Sequence, residues 1–176
     1  NNLGRLYREG QGVAADAAQA REWFLKAAAQ NEALAWYNLG LMAEQGQGSA
    51  KSETEAMDWY RKAAEKNVAA AQSRLGWLLN KSGKADEAVL WLSKAAEAGD
   101  VVAQNNLGVI FEQGKGVAKD MAAAGKWYRK AAEAGDKVAQ HNLGVLFRDG
   151  LGVEKNEAEA LAWIQKSADQ GYAKAQ

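Results

Sequence analysis

Small and apolar residues recur along this chain at helical spacing, in blocks that repeat. Around each of five tryptophans, Trp23, Trp59, Trp91, Trp127 and Trp163, one Ala stands three residues before and another five residues after. Ala, Trp and Ala at i, i+3 and i+8 share one face of an α-helix, so each block predicts an amphipathic helix. Lys26, Lys62, Lys94, Lys130 and Lys166 follow their Trp at the third position, which makes the outer face of that helix charged and solvated. Asp16, Ser52, Asp120 and Asn156 sit seven residues before a Trp, and all are residue types that cap helix N-termini. Eight residues after each Trp stands Asn31, Asn67, Gly99, Gly135 or Gly171. Asn and Gly tolerate the left-handed backbone that ends a helix, so the C-terminal boundary is predicted as well.

A second helix type alternates with the first. Leu-Gly recurs at Leu3-Gly4, Leu39-Gly40, Leu75-Gly76, Leu107-Gly108 and Leu143-Gly144, at intervals of 36, 36, 32 and 36 residues. The chain therefore divides into repeats 1-36, 37-72, 73-104, 105-140 and 141-176, read as one repeat domain. In four of the five the Leu-Gly segment carries an Ala four residues before the Leu, as in Ala35 to Gly40 and Ala103 to Gly108. A glycine inside a helix costs about 1 kcal/mol relative to Ala, so its recurrence implies close approach of a neighbouring helix, expected to be the Trp-bearing partner. Gly-x-Gly turns (Gly10/Gly12, Gly46/Gly48, Gly114/Gly116, Gly150/Gly152) join the two helices. The third repeat keeps only Gly83 in its connection, Asn80 to Asp86, and a tighter turn is expected there. The first residues enter part-way through a first helix, and Tyr172-Ala-Lys-Ala-Gln176 reads as the opening of another. A longer array, or contact between the ends of two copies, is the expectation from the lack of polar terminal caps.

Composition narrows the chemistry. The chain has 38 Ala but only 10 Val, 2 Ile and 1 Thr, so a sheet-based protein is excluded and close helix packing is favoured. Charges balance at 22 basic and 22 acidic residues. No basic arm for nucleic acid or polybasic membrane patch exists, and no apolar run is long enough to insert in a bilayer. With no Cys, disulfides, thiol nucleophiles and zinc–thiolate sites are excluded. His141 is the only His, which argues against a His-based metal cluster and leaves a nucleophilic triad to that residue alone, with no Gly-x-Ser-x-Gly beside it. The Gly-x-Gly turns lack a Gly-Lys-Ser/Thr ending and follow no strand, so they are turns and not phosphate cradles. Glu53/Glu55 and Glu157/Glu159 lie in helix first turns, where the macrodipole favours them, and are not read as a catalytic acid pair. The reading is of a non-enzymatic chain that needs no cofactor or metal.

Leu-Gly, Gly-x-Gly-Val, an Asp cap and Ala-x-x-Trp-Tyr-x-Lys-Ala-Ala, spaced over 36 residues, resemble the Sel-one-like repeat (SLR) family, a branch of the tetratricopeptide-type α-solenoids. Asn105 through Asp120 and Trp127 through Ala132 match it best, and the likeness covers all five repeats. The resemblance implies an all-α, right-handed α-solenoid of antiparallel helix pairs, four repeats of 36 residues and one of 32. It also implies a concave surface lined by first helices, bacterial occurrence with a periplasmic or secreted location favoured and the cytoplasm left open, and use as an interaction scaffold. Some members carry a Cys pair in each repeat, which this chain lacks.

The residue before each Leu-Gly is Asn2, Asn38, Arg74, Asn106 or Asn142, a polar ladder at one register. In tetratricopeptide proteins that resemble this chain, Asn at that place faces the groove and hydrogen-bonds an extended peptide backbone. Arg74 is then placed to pair with a carboxylate. The alternative is that these side chains only pin neighbouring helices together. Neighbouring positions vary between repeats, and among them Tyr37, Trp77 and His141 are candidate selective contacts; Tyr37, Trp36 and Trp77 are aromatic anchors if exposed, the alternative being burial between adjacent helices, which is the expectation for Trp77 from its apolar row. The expected function is a scaffold that binds a peptide or protein segment in its concave groove. A structural spacer, self-associating end to end, is the second reading, and a hydrolase the third. The repeated Trp residues are read as packing residues.

Overall fold

The computed structural model describes residues 1–176 and is all-helical. The helices are α1 (Asn2–Glu9), α2 (Ala17–Ala28), α3 (Ala33–Gln45), α4 (Glu53–Glu65), α5 (Ala69–Lys81), α6 (Ala85–Glu97), α7 (Val101–Gln113), α8 (Met121–Glu133), α9 (Lys137–Asp149) and α10 (Glu157–Asp169). Odd-numbered helices carry Leu-Gly and even-numbered ones the repeated Trp. The chain divides into two compact units, Asn1–Leu78 and Leu79–Gln176, with the division inside α5.

The boundaries form for the local reasons the sequence suggests. Asp16 accepts a hydrogen bond from the Gln19 amide, Ser52 from Glu55, Asp120 from Ala123, and Asn156 from both Ala158 and Glu159. Each satisfies a backbone N–H that the first helical turn leaves without a partner. Asn31 and Asn67 adopt φ of 60°, and Gly99, Gly135 and Gly171 are likewise left-handed. The link of the third repeat shrinks to residues 82–84, with Gly83 at φ 81°.

Within Asn1–Leu78, α1 packs on α2, α2 on α3 and α3 on α4. Ala20, Phe24, Ala35, Ala56, Tyr60 and Ala63 are fully buried there. Within Leu79–Gln176 the same neighbour-to-neighbour packing joins α6 through α10. Its core has two clusters, one around Leu92, Leu107 and Ile110 and one around Tyr128, Leu143 and Leu146.

The residue following the repeated Trp, rather than the Trp itself, makes the closest inter-helix contact. A methyl group placed on Gly40 would lie 2.5 Å from Tyr60 Cδ1, and one on Gly4 2.7 Å from Phe24 Cδ1; Gly108 meets the Tyr128 ring even more closely. Glycine is kept there because the aromatic ring of the partner helix lies flat against bare backbone. The Trp rings sit further out, each under the Lys that follows it: Lys26, Lys62, Lys94, Lys130 and Lys166 ammonium groups stand 4.1–4.5 Å from their ring centroids. The Lys stems thus cover indole that would otherwise face water, with a cation–π attraction of about 0.5–1 kcal/mol each, the Lys residues themselves being exposed.

Candidate functional site

The first helices of each unit present one face outside the core. In α3, Leu34, Asn38, Leu41 and Gln45 lie at i, i+4, i+7 and i+11, and none is buried. Arg74 and Trp77 of α5 hold the registers of Asn38 and Leu41 and are exposed, Trp77 by 41%. Trp77, expected to be buried between helices, is instead exposed, because its register on α5 lies outside the core, whereas Trp36 is buried at 9% exposure. In the second unit the same register holds Val102, Asn106, Val109 and Gln113 on α7, and Val138, Asn142, Val145 and Asp149 on α9.

The polar residues of the first unit are linked across helices. Asn38 Nδ2 donates to Asn1 Oδ1 at 2.9 Å, and Asn38 Oδ1 accepts from Arg8 Nη1 at 3.0 Å. Arg74 Nη1 lies 3.4 Å from Glu44 Oε1, which places α5 beside α3. Glu44 also accepts the Tyr60 hydroxyl at 2.6 Å. Tyr37, half-buried, stacks at a tilt on Tyr60, with ring centroids 5.8 Å apart. The carboxylate that Arg74 meets is thus the chain's own, and one of its five N–H groups is engaged.

In the second unit, Asn142 Nδ2 donates to Asn105 Oδ1 at 3.4 Å. Asn106 is half-buried and has no side-chain partner within the chain. His141 packs edge-on against Tyr172, 5.4 Å between centroids, with its Nδ1 buried and without a hydrogen bond. Burial, reinforced by Lys174 and Arg148, holds its imidazole below the ordinary His range.

Two sets of residues escaped the sequence reading. Gln72, Gln104 and Gln140 are buried, and each donates its amide to the carbonyl eight residues earlier, Ala64, Ala96 or Ala132, at 3.0–3.2 Å. They tie the end of each of these second helices to the first helix that follows it. The signal was present, since a Gln follows the same repeated Ala three times in an otherwise apolar stripe. The second set is Glu44 and Glu112, which accept the hydroxyls of Tyr60 and Tyr128 at 2.6 Å.

The family follows from the match of sequence to structure. The Sel1 repeat profile matches residues 1–32, 33–68, 69–100, 101–136 and 137–172. The chain belongs to the Sel1 repeat family. The profile places its boundaries at the starts of first helices, ahead of the Leu-Gly phasing, with the same short unit after residue 68. The fold is similar to that of c5321, a protective antigen of uropathogenic Escherichia coli strains displaying an SLR fold, at 35% identity and TM-score 0.95. It is also similar to a Sel1 repeat protein from Oxalobacter formigenes, at 37% identity and TM-score 0.90. Both likenesses cover 99% of this chain, but it spans 38% of the first and 73% of the second. Cysteine rich protein B of Helicobacter pylori is 31% identical over 71% of this chain and 92% of its own, at TM-score 0.56. This Sel1 repeat chain holds its pairs without any Cys. Comparison with curated protein sequences gave no match. Sel1 repeat proteins are typically protein-interaction scaffolds, and the fold is generally non-enzymatic. No helix here is long and apolar enough to cross a membrane.

Proposed function

We propose that this chain is a protein-interaction module in which the first-helix face of each unit holds an extended segment of a partner protein. The exposure of Trp77 carries the reading: an indole 41% open to solvent, beside a guanidinium, on a face that the core does not use. Trp and Arg are the residue types that dominate interface energetics when a partner covers them.

Asn38 in the first unit, and Asn106 and Asn142 in the second, serve the backbone of a segment held on their own unit. A primary amide offers two N–H groups and two lone pairs, so Asn38 keeps one donor after its bonds to Asn1 and Arg8, and Asn106 keeps its whole capacity. Arg74 keeps donors for a carboxylate or carbonyl of the partner. Tyr37, Trp77 and His141 differ between repeats and choose side chains.

The test is a peptide selected from a display library against the whole chain. Its affinity is expected to fall roughly tenfold or more with Trp77→Ala and less with Arg74→Ala, at unchanged thermal stability. Selected peptides that bind both variants as well as the wild type would sink the assignment.

A further inference from the structure

The position two residues before the repeated Trp is Arg21, Met57, Val89, Gly125 and Leu161. Only α8 has no side chain there. In the first unit Arg21 uses the place to reach Glu55 of α4, at 3.1 Å. A depression of about 550 Å³ lies on α8 beside the buried Gly125, walled by Gly152 and Val153 of the α9–α10 loop and by Trp127. Packing does not demand the glycine. A methyl group on Gly125 would lie 3.3 Å from Val153 Cγ1 and 3.5 Å from Leu146 Cδ1, which a small shift of the valine relieves, unlike the contact at Gly40. Helix propensity works against Gly here by about 1 kcal/mol relative to Ala.

The rim is electrically lopsided. Lys126, Arg129 and Lys130 border the depression, against one carboxylate, Glu133. None of the three cations has an ion-pair partner. Lys130 lies over Trp127 at 4.3 Å and Arg129 over the Phe147 ring at 5.2 Å, while Lys126 makes no such contact. Arg21 and Arg74 of the other unit are both paired with carboxylates. The volume falls in the range of small binding sites, and the floor is largely apolar.

We propose that α8 carries a second docking site, which takes an aliphatic or aromatic side chain of an acidic partner segment over Gly125, with the flanking carboxylates on Lys126, Arg129 and Lys130. It lies on a second helix and does not depend on the first-helix face. A rim with three cations against one carboxylate gathers acidic segments from a distance, while the apolar seat selects which of them stay.

The probe is the blocked peptide Glu-Asp-Phe-Asp-Glu, added at millimolar concentration to the isotope-labelled chain and followed by amide NMR shifts. Saturable shifts are expected in Ala122 to Glu133 and at Gly152 and Val153. Replacing Phe by Ala in the peptide is expected to weaken binding roughly tenfold, as are Gly125→Val and Arg129→Glu in the chain. Gly125→Val reproduces Val89, which packs in the same cluster as Val117, so it is expected to fold. The proposal is overturned if the Lys counterpart of the peptide binds as well, if the shifts fall elsewhere or do not saturate, or if Gly125→Val binds undiminished.

Discussion

Glu44 and Glu112 stand sixteen residues before the fully buried Tyr60 and Tyr128. Where the same register holds Arg, the residue sixteen positions on has no hydroxyl: Arg8 lies over the Phe24 ring at 5.9 Å, and Arg148 corresponds to the half-buried Ile164. The chain thus matches acceptor to donor repeat by repeat, because a buried hydroxyl without a partner costs about 1–3 kcal/mol. Burial, together with the hydrogen bond to Glu44, raises the Tyr60 hydroxyl above the ordinary tyrosine range, and burial together with the hydrogen bond to Glu112 does the same at Tyr128. Unfolded tyrosine loses its proton near pH ~10, the folded chain only higher. The stability from these protons is complete below about pH 10 and falls as pH rises further, by up to about 1.4 kcal/mol per pH unit for each tyrosine. Denaturant melts across that range are expected to show a shallower decline for Tyr60→Phe/Tyr128→Phe than for wild type, and equal slopes would contradict it. The repeated spacing of Glu and Tyr was legible in the sequence, but only the packed helices bring the two oxygens within 2.6 Å.

At the scale of the helix, boundaries were readable because they depend on neighbours in sequence. The Asp120 carboxylate caps an amide three residues on, and Asn31 turns left-handed at its own φ. The recurrent mid-helix glycine was also legible, and so was its cause, a closely packed helix. The contacting ring was not. Periodicity drew attention to the conserved-register Trp, whereas the residue after it turns inward onto Gly40 or Gly108. Gly40→Ala adds helix propensity of about 1 kcal/mol but forces a methyl into the Tyr60 ring, an overpacking cost of about 1–3 kcal/mol. Differential scanning calorimetry is expected to show a lower Tm for Gly40→Ala, and an equal or higher one for Gly125→Ala, whose added methyl meets only Val153 and Leu146. A gain at Gly40 would mean that the helices separate without loss.

Within each unit, helices next to each other in sequence pack together, α1 through α4 in one and α6 through α10 in the other. Stability in such an array is a sum of repeat and nearest-neighbour terms. Gly108→Ala is therefore expected to speed amide exchange in α7 and α8 while leaving α1 and α2 near wild type; uniform loss of protection would show cooperativity beyond neighbours. The period of 36 residues, the helix ends, the all-helical class and the Sel1 repeat family were determined by the sequence itself. All of them rest on interactions within a few residues, or on a pattern that repeats. The sequence could also place Arg74 and Trp77 on one face of α5, since a helix fixes angles between its own residues, and Asn38 at the matching register of α3. It could not decide that Asn38 bonds Asn1 and Arg8, that Arg74 meets Glu44, or that Trp77 stays in solvent while Trp36 is buried. Those outcomes join residues thirty or more positions apart, and they depend on how closely one helix can settle on the next.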